Sequence, residues 1–303
     1  MLARTSQFAR SIHLSVLRAP ATTAALGRRF ESSLAAPKAA DGSDEEVFVT
    51  HLQGADQGVA VLSMNRPAAK NALSKKLLAD IRATVDRLRS DSSVRVLILR
   101  SHVPGAFCAG ADLKERATMP AHEVSDFVHG IRSLFNDIEN LPFPTIASLD
   151  GAAFGGGLEM ALACDFRTAG AGARLALSET KLAIIPGAGG TQRLPRLVGM
   201  HMAKKMIFTA SPVNASTAES IGLVTEAGEQ AYPLALNLAR QILPQGPIAI
   251  QAAKVAISKG AGTDLATGLA IEQACYHRVI PTKDRLEGLQ AFREKRAPVY
   301  KGE

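Results

Sequence analysis

The sequence predicts an α/β fold with repeated crossovers, followed by a purely helical region at its C-terminal end. Three observations carry that prediction. Short β-branched runs alternate with amphipathic helical stretches. One of these runs, residues 94–99, is apolar but for Arg95, the pattern of a strand covered on both faces. Beyond Pro247 only helical periodicity remains, over residues 248–259, 264–278 and 283–295.

Each element has its own signal. Residues 47–52 and 59–64 read as two strands joined by a turn region at Gly54 and Gly58. Residues 74–89 read as a helix, because Leu78, Ile81, Val85 and Leu88 recur on one stripe and Ser74 is a fitting N-cap. The buried strand 94–99 follows. A helix over 121–140 leads through Pro142 and Pro144 to a strand at 145–149. A glycine triplet then opens a helix from about Leu158, and a short strand at 174–177 precedes another helix beyond Gly190. Strand–strand–helix followed by strand–helix units is the order of an α/β domain.

Composition limits the function. The chain has 35 Lys and Arg against 28 Asp and Glu, but five arginines (Arg4, Arg10, Arg18, Arg28 and Arg29) lie within residues 1–30, which hold no acid. An Arg-rich, acid-poor leader is what a mitochondrial transit peptide looks like, which predicts residence in the mitochondrial matrix. Taking those five from 35 leaves 30 against 28, so the balance gives a polyanion partner little support. Residues 31–46 read as a linker, 47–246 as a catalytic core and 247–303 as a helical cover that serves assembly. No apolar run approaches the ~20 residues that span a membrane. The three cysteines, Cys108, Cys164 and Cys275, are widely spaced and form no C-x-x-C pair, which speaks against a disulfide framework or a zinc site.

Two glutamates carry the chemistry. Glu159 ends Gly151-Ala-Ala-Phe-Gly155-Gly156-Gly157-Leu-Glu159, and Glu179 begins a stretch running to Pro186-Gly-Ala-Gly189-Gly190-Thr-Gln-Arg193. Glycines let main chain approach a ligand, and a helix opening there aims free N–H groups at developing negative charge. A carboxylate one turn in reaches the same atoms. Neither glycine segment is a dinucleotide or phosphate loop, since G-x-G-x-x-G and Gly-Lys-[Ser/Thr] are both missing. A third small-residue segment, Gly105-Ala-Phe-Cys108-Ala109-Gly110-Ala111-Asp112-Leu113-Lys114-Glu115, follows the buried strand.

With all three segments in this order and spacing, the chain resembles the enoyl-CoA hydratase/isomerase (crotonase) superfamily from about Val47 onward. The resemblance implies repeated ββα units, a C-terminal helical region, an acyl-CoA substrate, and a homotrimer or dimer of trimers. It implies oxyanion N–H donors at Ala111 and Gly156, and acid/base roles for Glu159 and Glu179. It implies substrate or CoA contacts at Lys70, Ala72, Ala109, Gly110, Asp112, Leu113, Lys114 and Gly155. Both glutamates being present favours hydration over isomerisation. No metal or redox cofactor is needed, since CoA arrives as part of the substrate. Residues 178–186 and 280–296 look most like the methylglutaconyl-CoA hydratase branch, which serves leucine breakdown; a general short-chain enoyl-CoA hydratase is the alternative. A substrate of that branch carries a distal carboxylate, for which Arg116, Lys181 and Arg193 are candidate partners. Members of that branch are also associated with AU-rich RNA through basic residues on the first long helix. Here Lys75, Arg82 and Arg89 recur every seven residues, diluted by Asp80 and Asp86, so a solvated helix face is the simpler account.

Overall fold

The structure, a computed structural model, describes residues 45–303. The expected transit peptide and all but the last two residues of the expected linker lie outside the described residues. The first two strands, β1 (Val47–His51) and β2 (Val59–Met64), form an antiparallel pair. Helix α1 (Lys75–Arg89) then crosses to β3 (Val96–Ser101), which lies parallel to β2.

From β3 the chain follows one path three times: a strand in a large sheet, a three-residue strand in a small sheet, then helix. The first pass is β3, β4 (Ala106–Cys108), α2 (Leu113–Ala117) and α3 (Ala121–Glu139). The second is β5 (Thr145–Leu149), β6 (Ala152–Phe154) and α4 (Gly156–Leu162). The third is β7 (Phe166–Gly170), β8 (Arg174–Ala176) and α5 (Gly190–Thr209). A short β9 (Val213–Asn214), α6 (Ala215–Ser220) and β10 (Glu226–Gly228) complete the sheets, in the orders β1-β2-β3-β5-β7-β10 and β4-β6-β8-β9. These are the expected ββα units.

Side-chain alternation explains the apolar run. Leu97 and Leu99 of β3 join the main core with α1 and α3, while Val96 and Ile98 pack with Ala235, Leu236 and Ala239 of α7 (Ala231–Ile242). The strand starts later than its apolar pattern suggests, because Val94 N donates to Asp91 O in a turn, and Arg95 N and Val96 N both donate to the Gly58 carbonyl. In α1 the Ser74 hydroxyl accepts from Leu77 N, as expected of an N-cap. The buried stripe, however, runs through Leu77, Ile81, Val85 and Leu88; Leu78 is only partly buried.

The C-terminal region is helical as expected: α8 (Pro247–Gly260), α9 (Leu265–Val279) and α10 (Lys283–Glu294). Lys254 fastens α8 to the core, donating to Asp165 Oδ2 (2.6 Å) and the Phe143 carbonyl. Among the described residues, no helix is long and apolar enough to cross a membrane.

Candidate active site

The site is built where the three passes leave the small sheet. Its first wall is the loop after β4. Lys70 and Asn71 occupy the left-handed region, and the buried Asn71 amide donates to Ser101 Oγ and the Phe107 carbonyl. This fixes residues 70–73 against the loop: Ala109 N donates to Lys70 O, Leu73 N to Gly110 O and Asp112 N to Leu73 O. The bridge between Leu73 and Ala111 leaves the Ala111 N–H out of its hydrogen bonds.

The second wall is the start of α4. Gly155 has φ +50°, and a Cβ there would stand 3.3 Å from Glu179 Oε1, so both backbone and space call for glycine. Gly157 lies against the Cys108 carbonyl where no Cβ fits. That contact draws α4 onto the loop carrying Ala111. A Cβ placed on Gly156 would lie 3.9 Å from Ala111 N, and one on Gly110 would lie 3.6 Å from Gly156 N. The two expected donor amides are therefore neighbours, and Gly156, first in its helix, has no carbonyl behind it within the helix to bond.

Glu159 lies one turn into α4, 3% exposed. Its Oε1 accepts from Ala188 N at 2.8 Å and Gly190 N at 2.7 Å. Burial raises its proton affinity; the two amides, and the charges of Arg193 and Arg132, oppose that rise. Glu179 opens a short 3-10 turn, Glu179–Leu182, across the same space. Burial first, and then the charge of Glu159, lift its carboxyl to about 7. Its Oε2 is buried with no hydrogen-bond partner among the described residues.

Ala111, Gly156, Glu159 and Glu179 line one cavity of about 550 Å3. Val128 and Ile131 of α3 give it an apolar wall, and exposed Leu113, Leu182 and Ile185 frame it. Such a site offers main-chain donors to an oxyanion and two unequal carboxyls to a water, in an apolar shell that strengthens both effects.

The remaining expected contacts divide. Ala109, Gly110, Leu113 and Gly155 line the cavity; Lys70, Ala72, Asp112 and Lys114 do not. Asp112 caps α2, accepting from Lys114 N and Glu115 N, and receives Arg66 Nη1 at 2.8 Å. Ala72 gives its carbonyl to the same guanidinium. Of the three cations considered for a distal carboxylate, only Arg116 is in the lining. Arg116 makes no ion pair among the described residues, whereas Arg193 is engaged by Glu139 at 2.6 Å. Arg132, also in the lining, is absent from the sequence expectations; its spacing with Asn136 and Glu139 on α3 was the available signal. The basic ridge of α1 is offset by acids: Lys75 meets Glu123, while Arg82 and Arg89 both meet Asp137. It presents no row of free cations to a phosphate backbone.

Several known proteins are similar to this chain. The sequence profile of the family described as enoyl-CoA hydratase/isomerase matches residues 54–303. The chain is 56% identical to the mitochondrial methylglutaconyl-CoA hydratase of Homo sapiens, over 86% of this chain and 79% of that one. It is 52% identical to the mitochondrial enoyl-CoA hydratase domain-containing protein 2 of Homo sapiens, over 87% and 92%. Among solved structures, an enoyl-CoA hydratase from Bacillus anthracis superposes with a TM-score of 0.82 at 47% identity, covering 86% of this chain and all of that one.

Proposed function

Because the chain belongs to the enoyl-CoA hydratase/isomerase family, we propose that it adds water across the C2=C3 double bond of a 2-enoyl-CoA thioester, converting 3-methylglutaconyl-CoA to 3-hydroxy-3-methylglutaryl-CoA in leucine breakdown. One observation carries the reading: two carboxyls and two main-chain donors line a single cavity.

The chemistry follows from the inequality of the acids. Glu159, with two N–H bonds on one oxygen, is the better anion; Glu179, with a buried oxygen that has no partner among the described residues, is the one that keeps a proton to give. The thioester carbonyl lies between Ala111 N and Gly156 N, which stabilise the charge that collects on its oxygen. One such donor is worth about 3 kcal/mol in the transition state. Glu159 takes a proton from water as hydroxide bonds to C3. The double-bond electrons move toward the carbonyl, and Glu179 gives its proton to C2. Water is added, and the pair, now with its proton on Glu159, is reset by transfer between the two carboxyls. The reaction as written uses no metal and no cofactor other than the CoA carried by the substrate.

Arg116 gives the substrate's distal carboxylate a charged partner inside the cavity. The mitochondrial relatives, together with the arginine-rich leader, support action in the mitochondrial matrix. Exposed apolar side chains on α9 and α10, among them Leu265, Tyr276 and Phe292, supply a surface for a homotrimer or dimer of trimers. The deciding experiment compares turnover of 3-methylglutaconyl-CoA and crotonyl-CoA by protein lacking residues 1–30. Preference for the first supports the reading; preference for the second makes this a general short-chain hydratase.

A further inference from the structure

The loop that holds Glu159 is itself held from behind. Helix α3 presents Arg132, Asn136 and Glu139 at spacings of four and three, one face of the helix. Arg132 Nε and Nη2 both donate to the Gly187 carbonyl, at 3.0 and 2.7 Å. Arg193 of α5 donates to the next carbonyl, Ala188 O, at 3.1 Å. Its other terminal nitrogen is anchored by Asn136 Oδ1 at 2.7 Å and Glu139 Oε2 at 2.6 Å. Gly189, at φ +112°, stands so close to the Arg193 guanidinium that a Cβ there would displace it.

The Gly187 carbonyl and the Ala188 N–H belong to one planar peptide unit, and a trans unit points them in opposite directions. Arg132 therefore grips one end of the peptide whose other end donates to Glu159 Oε1. A cation on the carbonyl polarises the amide and strengthens the bond its N–H makes. Arg193 fixes the neighbouring unit, between the two amides that Glu159 uses. Both arginines also lower the proton affinity of Glu159 through their charge, against the effect of burial.

We propose that Arg132 and Arg193 are positioning residues that set the aim of Glu159 by clamping the Gly187 and Ala188 carbonyls, with Glu139 and Asn136 holding Arg193 in place. The role rests on the hydratase reading only for its effect on turnover. The effect on the carboxyl is a property of the fold.

Two readouts separate these. In protein labelled with 13C at glutamate carboxyls, the Glu159 resonance is titrated in wild type, Arg132→Met, Arg132→Lys and Glu139→Gln. We expect its titration to move up by about one pH unit in Arg132→Met, less in Glu139→Gln, and to return partway in Arg132→Lys. Hydration of crotonyl-CoA is followed across pH in parallel. The acidic limb of kcat should shift in the same direction, with KM within about twofold of wild type. A Glu159 titration unmoved in folded Arg132→Met and Glu139→Gln would overturn the clamp, whatever happens to turnover. A shifted titration in a protein that hydrates no enoyl-CoA keeps the clamp and removes the hydratase reading instead.

Discussion

Glu159 and Glu179 share a cavity but not an environment: one oxygen of Glu159 receives two main-chain N–H groups, while Glu179 Oε2 is buried with no partner among the described residues. The difference comes from their neighbours. Glu159 projects from a helix toward the glycine-bearing loop 186–190, whose amides are free to turn inward. Glu179 sits at the head of a single 3-10 turn with Gly155 beside it, which gives space but no donor. Environments of this kind push two carboxyl groups apart in proton affinity, the arrangement an acid and a base need.

The raised Glu179 pKa has a consequence for stability. A carboxyl lifted from 4.5 to about 7 contributes stability that is fully present below about pH 4.5 and is lost as pH rises through 7, since the fold disfavours its ionised form. Glu179→Gln removes that loss. Thermal unfolding should show the variant with the higher Tm at pH 8 and no advantage at pH 4.5; a lower Tm at pH 8 would count against a neutral Glu179.

Gly156→Pro tests the oxyanion donor by removing its N–H. Position 156 opens α4, where proline is tolerated and the N–H has no helical partner to lose. The nearest atom a Cβ there meets is the end of the Leu73 side chain, at 2.9 Å, with Ala111 N at 3.9 Å. Hydration should fall by about two to three orders of magnitude in kcat, with the circular dichroism spectrum unchanged. Retained activity in the folded variant would place the donor elsewhere.

Arg116→Gln tests the carboxylate partner. Losing one charge-assisted hydrogen bond of about 1.5–3 kcal/mol should lower kcat/KM for 3-methylglutaconyl-CoA by about ten- to a hundredfold. Crotonyl-CoA, with no distal carboxylate, should be turned over almost as before. Equal losses on both substrates would mean that Arg116 acts through Glu179, whose proton affinity its charge lowers.

Much of this was legible in the sequence. The long elements announce themselves, because strands buried on both faces and an apolar helical stripe are strong signals. The glutamates and glycines fall where close main-chain approach demands them. The strands at 106–108 and 152–154 were not legible, since three residues are too few to show a period. Asp112 was expected as a ligand contact from its segment; the sequence did not show that it caps α2 and pairs with Arg66, forty-six residues away. The clamp was hidden for the same reason. Arg132, Arg193 and Gly187 meet only through packing of α3 against the loop before α5; the 132, 136, 139 spacing marks one helix face but not what that face meets.

The central claim is most directly tested by the hydration rate of a bound 2-enoyl-CoA in Glu159→Gln and Glu179→Gln. The account predicts that each variant binds the thioester with near wild-type affinity and hydrates it at least about a hundredfold more slowly. Either variant working at close to the wild-type rate would contradict it.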